Sequence, residues 1–109
     1  MARAVVDILE EKKGEDILLM DISTISSFAD YFVICSGTSD RMLDSLAQAV
    51  VEKVKAQFSL PSKIEGQPRD GWLLVDLGDT VVHLFSPEQR NYYRLEELWE
   101  GGKVLLRLK

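Results

Sequence analysis

Two apolar runs, Trp72 to Leu77 and Thr80 to Phe85, flank the dipeptide Gly78-Asp79, and this constrains the fold more than any other feature. A two-residue Gly-Asp connection between β-prone runs predicts a tight hairpin, and the turn length sets its register. Leu77 then faces Thr80, Asp76 faces Val81, Val75 faces Val82, Leu74 faces His83, Leu73 faces Leu84, and Trp72 faces Phe85. Strand side chains alternate, so Leu73, Val75, Leu77, Val82 and Leu84 share one apolar face that belongs in a core. Trp72, Leu74, Asp76, Val81, His83 and Phe85 share the other, which mixes two aromatic rings, a carboxylate and the single histidine. Two readings of that second face compete. In one, a helix covers it and leaves Asp76 and His83 at a wet rim. In the other, it is a partly exposed recognition surface in which tryptophan among polar groups is a binding hot spot.

The rest of the chain supplies the elements around this hairpin. Ala2, Val5, Val6 and Leu9 recur at helical spacing, predicting a first helix over Arg3 to Lys13 that Gly14 ends in a left-handed conformation. Asp16 to Ile22 and Tyr31 to Ser36 read as strands. Met42, Leu43, Leu46, Ala47, Val50, Val54 and Phe58 form a second helical stripe, with Thr38 or Ser39 as its N-cap. Lys63 to Glu65 offers a short edge strand. Ser86, Pro87 and Gln89 open a third helix with a capping box, and that helix runs to Gly101-Gly102. The order α-β-β-α-β-β-α predicts a single α/β domain over residues 1–109. Its sheet is mixed, twisted and four- to five-stranded, with helices packed on it. The step around the second helix requires a crossover and makes parallel strands.

Charge narrows the function classes. Residues 65–100 carry eight acids against three bases, whereas residues 101–109 carry only Lys103, Arg107 and Lys109. Nucleic-acid binders rely on basic patches, so little or no direct nucleic-acid binding is expected. A basic protein partner fits better. Tyr92, Tyr93 and Trp99 bring further aromatic area beside Glu96 and Glu97. No run reaches the ~20 apolar residues that span a bilayer, and no signal peptide is visible. A cytoplasmic protein is expected, and one cysteine, Cys35, allows no internal disulfide.

Enzymatic readings find little support. Gly37-Thr38-Ser39 lies at a strand-to-helix corner where phosphates are often held, but it lacks the Lys of a Walker loop and the three glycines of a Rossmann loop. A two-metal nucleotidyltransferase needs converging carboxylates, and Asp79 sits in the turn, away from Asp76. Ser39, His83 and Asp76 supply the residue types of a hydrolase triad without a nucleophile elbow. Cys35 reads as inert core, and a lone histidine makes no zinc cluster. No cofactor or metal is expected. A nucleotide-binding or nucleotidyltransferase-type enzyme built on Gly37-Thr38-Ser39 remains the rival reading.

Taken together, "SFADYFVICSGTSDRM", Glu65-Gly66 and "GWLLVDLGDTVVHLFSPEQRNYYRLEELW" resemble the ribosomal silencing factor family, also called the Iojap family. The resemblance rests on Asp30, Gly37-Thr38-Ser39, Trp72, Val75 to Asp79, Val82-His83 and Tyr93 to Trp99. It covers Val5 to Trp99 and leaves the basic tail, residues 102–109, outside the pattern. It implies a non-catalytic, nucleotidyltransferase-like domain that often forms a homodimer. It also implies binding to ribosomal protein L fourteen on the large subunit, obstruction of small-subunit joining when nutrients are scarce, and a part in large-subunit assembly. The expected partner-binding residues are Trp72 first, then Leu73, Asp76, Tyr92, Tyr93, Glu96 and Glu97.

Overall fold

Alternating apolar residues and two long amphipathic stretches build one sheet with a helical layer on one side. The structure is a computed structural model that describes residues 1–99 and 101–109, without the side chains of Glu96 and Leu98. Helix α1 (Ala2–Glu11) buries Ala2, Val5, Val6, Ile8 and Leu9. Strands β1 (Glu15–Asp21) and β2 (Tyr31–Ser36) follow as an antiparallel pair. Helix α2 (Asp40–Phe58) starts at Ser39, whose Oγ accepts from the Met42 amide at 3.1 Å. Such a cap contributes about 1 kcal/mol. Strand β3 (Ile64–Gln67), a 3-10 turn at Pro68–Asp70, and the hairpin strands β4 (Trp72–Asp76) and β5 (Thr80–Phe85) come next. Helices α3 (Pro87–Tyr93) and α4 (Leu95–Leu98) precede strand β6 (Lys103–Leu108).

The sheet runs β3-β4-β5-β2-β1-β6, and only the β2–β5 pair is parallel. The hairpin has the expected register from Trp72↔Phe85 to Asp76↔Val81. The Leu77 amide donates to the Thr80 carbonyl at 2.9 Å across the turn, and Gly78 takes φ +89°. Glycine at the first central position suits the type II′ turns that match strand twist. Leu73, Val75, Leu77, Val82 and Leu84 enter the core beneath α1 and α2, together with Ile17 and Leu19 of β1 and Val33 and Cys35 of β2. Burial pushes the Cys35 thiol up to about 12, so it stays protonated in the core.

Four expectations change. The sheet has six strands rather than four or five, because the basic tail forms β6 against β1. Leu106 and Leu108 pack against the helix-covered core, and Arg107 reaches Asp16 through Nε at 3.1 Å and Nη2 at 3.2 Å. The third helix breaks at Arg94, φ +45°, which turns the chain so that Leu95 is buried on the opposite side of the sheet. Lys13, not Gly14, takes the left-handed conformation after α1. Gly14 is needed for space, since a Cβ there would lie 2.4 Å from Cys35 Sγ. The capping box on α3 closes halfway. Ser86 Oγ accepts from the Gln89 amide at 3.2 Å, but the Ser86 amide donates to the Gly71 carbonyl rather than to the Gln89 side chain.

Candidate partner-binding surface

The second face of the sheet is covered unevenly. Leu18, Met20, Phe32, Ile34, Val81 and Phe85 are buried there with Ile22, Ala29 and Leu95. Among the described residues, only α3, of seven residues, the four-residue α4 and the chain between β1 and β2 lie above them. Trp72, Leu74 and Trp99 therefore remain partly buried at its edge.

A continuous row of rings crosses this face. Tyr92 meets Tyr93 edge-on at 5.0 Å, and Tyr93 lies 4.6 Å from Trp72. Trp72 packs 4.9 Å from Phe85 and 5.9 Å from His83. His83 is 4.7 Å from Phe32, which is 5.1 Å from Trp99, and Trp99 is 5.8 Å from Phe28. Tilted and edge-to-face pairs at such spacings are favourable beyond their buried area. The row's ends are open: Tyr92 is 77% and Phe28 59% exposed. Two shallow clefts flank Trp72. One lies between Trp72, Leu74, Tyr93 and Gln89, with Glu65 and Asp70 at its rim. The other runs toward Phe28 and Trp99, with Glu65 and Asp76 at its rim.

Local sequence explains how Trp72 is presented. Gly66 lies opposite Leu73 with φ +96°, where a Cβ would strike the Trp72 carbonyl at 2.5 Å. Only glycine lets β3 run this close to the start of β4. The Trp72 indole Nε1–H donates to His83 Nδ1 at 3.2 Å. His83 is only 5% exposed, so it does not sit at the wet rim that one of the two readings of this face gave it. Burial lowers its pKa to about 4, so the ring is neutral near pH 7 and carries its proton on Nε2.

The expected site residues divide. Trp72, Tyr92 and Tyr93 lie together along the aromatic row, and Asp76 lies at the cleft rim, its Oδ1 accepting from the Gly78 amide at 2.9 Å. Leu73 does not belong to this surface: alternation turns it into the opposite core, where it is 1% exposed. Glu97 faces another depression beside Arg90 and Arg107 and pairs with Arg94 at 3.7 Å. The Glu96 side chain lies outside the described residues. Phe28 and Asp70 join the surface without having been singled out, alongside Leu74, which alternation had already put on this face, and Glu65 of the predicted edge strand. Phe28 is presented by a turn in which Ser26 Oγ accepts from the Phe28 and Ala29 amides at 3.2 and 3.3 Å. The signal for it was "SSF", a turn-forming pair before an aromatic residue.

At the glycine corner three donors of Gly37 and Thr38 are engaged internally. The Gly37 amide donates to the Phe85 carbonyl at 2.9 Å, and the Thr38 amide and hydroxyl approach Met42 Sδ at 3.3 and 3.5 Å. Among the described residues no group of three His, Cys, Asp or Glu side chains is placed to hold a metal ion. No helix among them is long and apolar enough to cross a membrane.

Comparison with known proteins places the chain in a family. The profile of the family described as ribosomal silencing factor during starvation (RsfS) matches residues 1–107. The chain belongs to the ribosomal silencing factor family. The match reaches through most of β6, so the C-terminal strand lies within the family's extent. The RsfS of Zymomonas mobilis is 40% identical over 94% of this chain and 77% of that protein. The RsfS of Bacillus subtilis is 43% identical over 83% and 76% respectively. The mouse protein named mitochondrial assembly of ribosomal large subunit protein 1 is 39% identical over 86% of this chain and 42% of its own. A crystal structure from Chromobacterium violaceum superimposes with TM-score 0.83 at 34% identity, covering 94% of this chain and 89% of that one.

Proposed function

We propose that this RsfS-family chain silences translation by binding the large ribosomal subunit through the Trp72 face, on ribosomal protein L fourteen, so that the small subunit cannot join. The observation that carries this reading is the open aromatic row from Tyr92 through Trp72 to Phe28, with Glu65, Asp70 and Asp76 at its clefts. Aromatic residues supply contact area at low entropic cost, and hot spots concentrate on such anchors. The acids favour a basic partner and steer its approach. An obstructive role needs no chemistry, only an interface of about 800 Å² per partner. The name of the mouse relative supports the large subunit as target and an added role in its assembly.

A gradient of lysate containing the tagged chain tests this. Comigration with free large subunits and absence from joined ribosomes is expected; an even spread through the joined ribosomes would refute the obstruction. The rival nucleotide-binding role predicts a heat of binding with ATP and magnesium, and the proposed function predicts none.

A further inference from the structure

His83 is an unusual tenant of the second face. It sits in the central part of a six-stranded sheet, on a strand whose six residues are all buried. Its ring lies 4.7 Å from Phe32 and stacks with Phe85 at 6.1 Å, an interplanar angle of 7°. Its Nε2 is buried without a hydrogen-bond partner among the described residues. Leaving such a group unpaired opposes folding. A phenylalanine or leucine would pack between the same neighbours without that cost. Among the described residues, the one hydrogen bond the imidazole makes is with Trp72, whose Nε1–H it accepts on Nδ1 at 3.2 Å.

Trp72 needs such a restraint. It is the first residue of β4 and follows Gly71, a left-handed residue at φ +75°. Phe85 and Tyr93 pack on the indole at 4.9 and 4.6 Å, but ring packing alone tolerates more than one ring orientation. A hydrogen bond from the indole nitrogen selects one of them.

We propose that His83 is a positioning residue: its Nδ1 fixes the orientation of the Trp72 indole that the large subunit meets. Stability is given up at His83 so that the anchor is ordered before the partner arrives, which lowers the entropic cost of docking. Local departures from good packing chemistry of this kind gather at functional sites. The proposal rests on the reading of Trp72 as a partner anchor, and the test separates the two.

Three variants are compared by thermal unfolding, by titration against purified large subunits, and by the indole ¹H–¹⁵N signals, of which the chain has two. His83→Phe keeps a ring and removes the acceptor. His83→Asn keeps an acceptor oxygen near the position of Nδ1. Trp72→Ala removes the anchor itself. The expected result for His83→Phe is unfolding at the parental temperature or above, faster solvent exchange of the Trp72 indole proton, and subunit affinity roughly five- to ten-fold weaker. His83→Asn should recover most of the affinity and the exchange protection.

Parental affinity in His83→Phe, with affinity lost in Trp72→Ala, would overturn the positioning role and leave the anchor standing. Parental affinity in Trp72→Ala would overturn the anchor, and the positioning role with it. If both His83 variants lose stability in step with affinity, His83 is a packing residue and the proposal fails. Rapid solvent exchange of the Trp72 indole proton in the parent protein would also overturn it, without any variant.

Discussion

The two faces of the sheet come from the same strands by the same alternation, yet they end in different environments. Beneath α1 and α2, Val33, Val75, Val82 and Leu84 have no exposed surface at all. On the opposite face the cover is short and broken, and the rings of Trp72, Tyr93 and Phe28 stay partly or largely open. The first face stabilises the fold; the second holds a row of aromatic side chains in place at its edge. The difference follows from what lies above each face, not from the strands. Helix α1 and the 19-residue α2 fill one side, and α3 and α4, parted by a left-handed Arg94, leave the other half-filled.

Substitutions can break or sharpen this contrast. The largest stability effect belongs to the covered face. Leu84→Ala should destabilise by about 2–5 kcal/mol, since a side chain with no exposure leaves a cavity. Chemical denaturation measures it, and a loss below about 1 kcal/mol would place the core elsewhere. Acid should act next, through the open face's own histidine. The His83 pKa is depressed to about 4, so the unfolded chain takes up a proton first. Stability is fully present above pH 6.5 and is lost as pH falls toward 4, at up to about 1.4 kcal/mol per unit. His83→Phe should lack this share of the slope, and identical slopes in variant and parent would contradict the burial argument.

The smallest stability effect belongs to the sheet's rim. Arg107→Ala removes a two-point contact with Asp16, but both side chains are over a third exposed. Solvent screening holds the loss to about 1 kcal/mol or less. Thermal unfolding checks this, and a loss rivalling that of Leu84→Ala would make β6 part of the main core. Binding offers a further contrast between the faces. If Glu65, Asp70 and Asp76 meet basic groups, subunit affinity should fall as salt rises; a flat response would mean that the rings alone hold the partner.

How much of this was legible in the sequence differs by region for physical reasons. The hairpin was readable to the residue because a two-residue turn leaves no freedom of register. The α2 corner was readable because caps are local. Strand β6 was not, since its partner lies near the other end of the chain: Ile17 pairs with Leu108. The break at Arg94 carries no glycine or proline, and Leu95 just beyond it is buried on the second face. Trp72 was legible as a partly open aromatic residue, but its hydrogen bond to His83 was not. Alternation placed His83 and Trp72 on one face without saying which neighbour would take the indole proton. Leu73 shows the opposite case, since alternation alone already sent it to the core.

The most direct test of the central claim is a binding titration of Trp72→Ala against purified large ribosomal subunits, with unfolding measured on the same sample. The account predicts that affinity drops by at least about 2 kcal/mol, while unfolding shifts by much less than it does in Leu84→Ala. Parental affinity in a folded Trp72→Ala protein would contradict it and remove the open face from the ribosome.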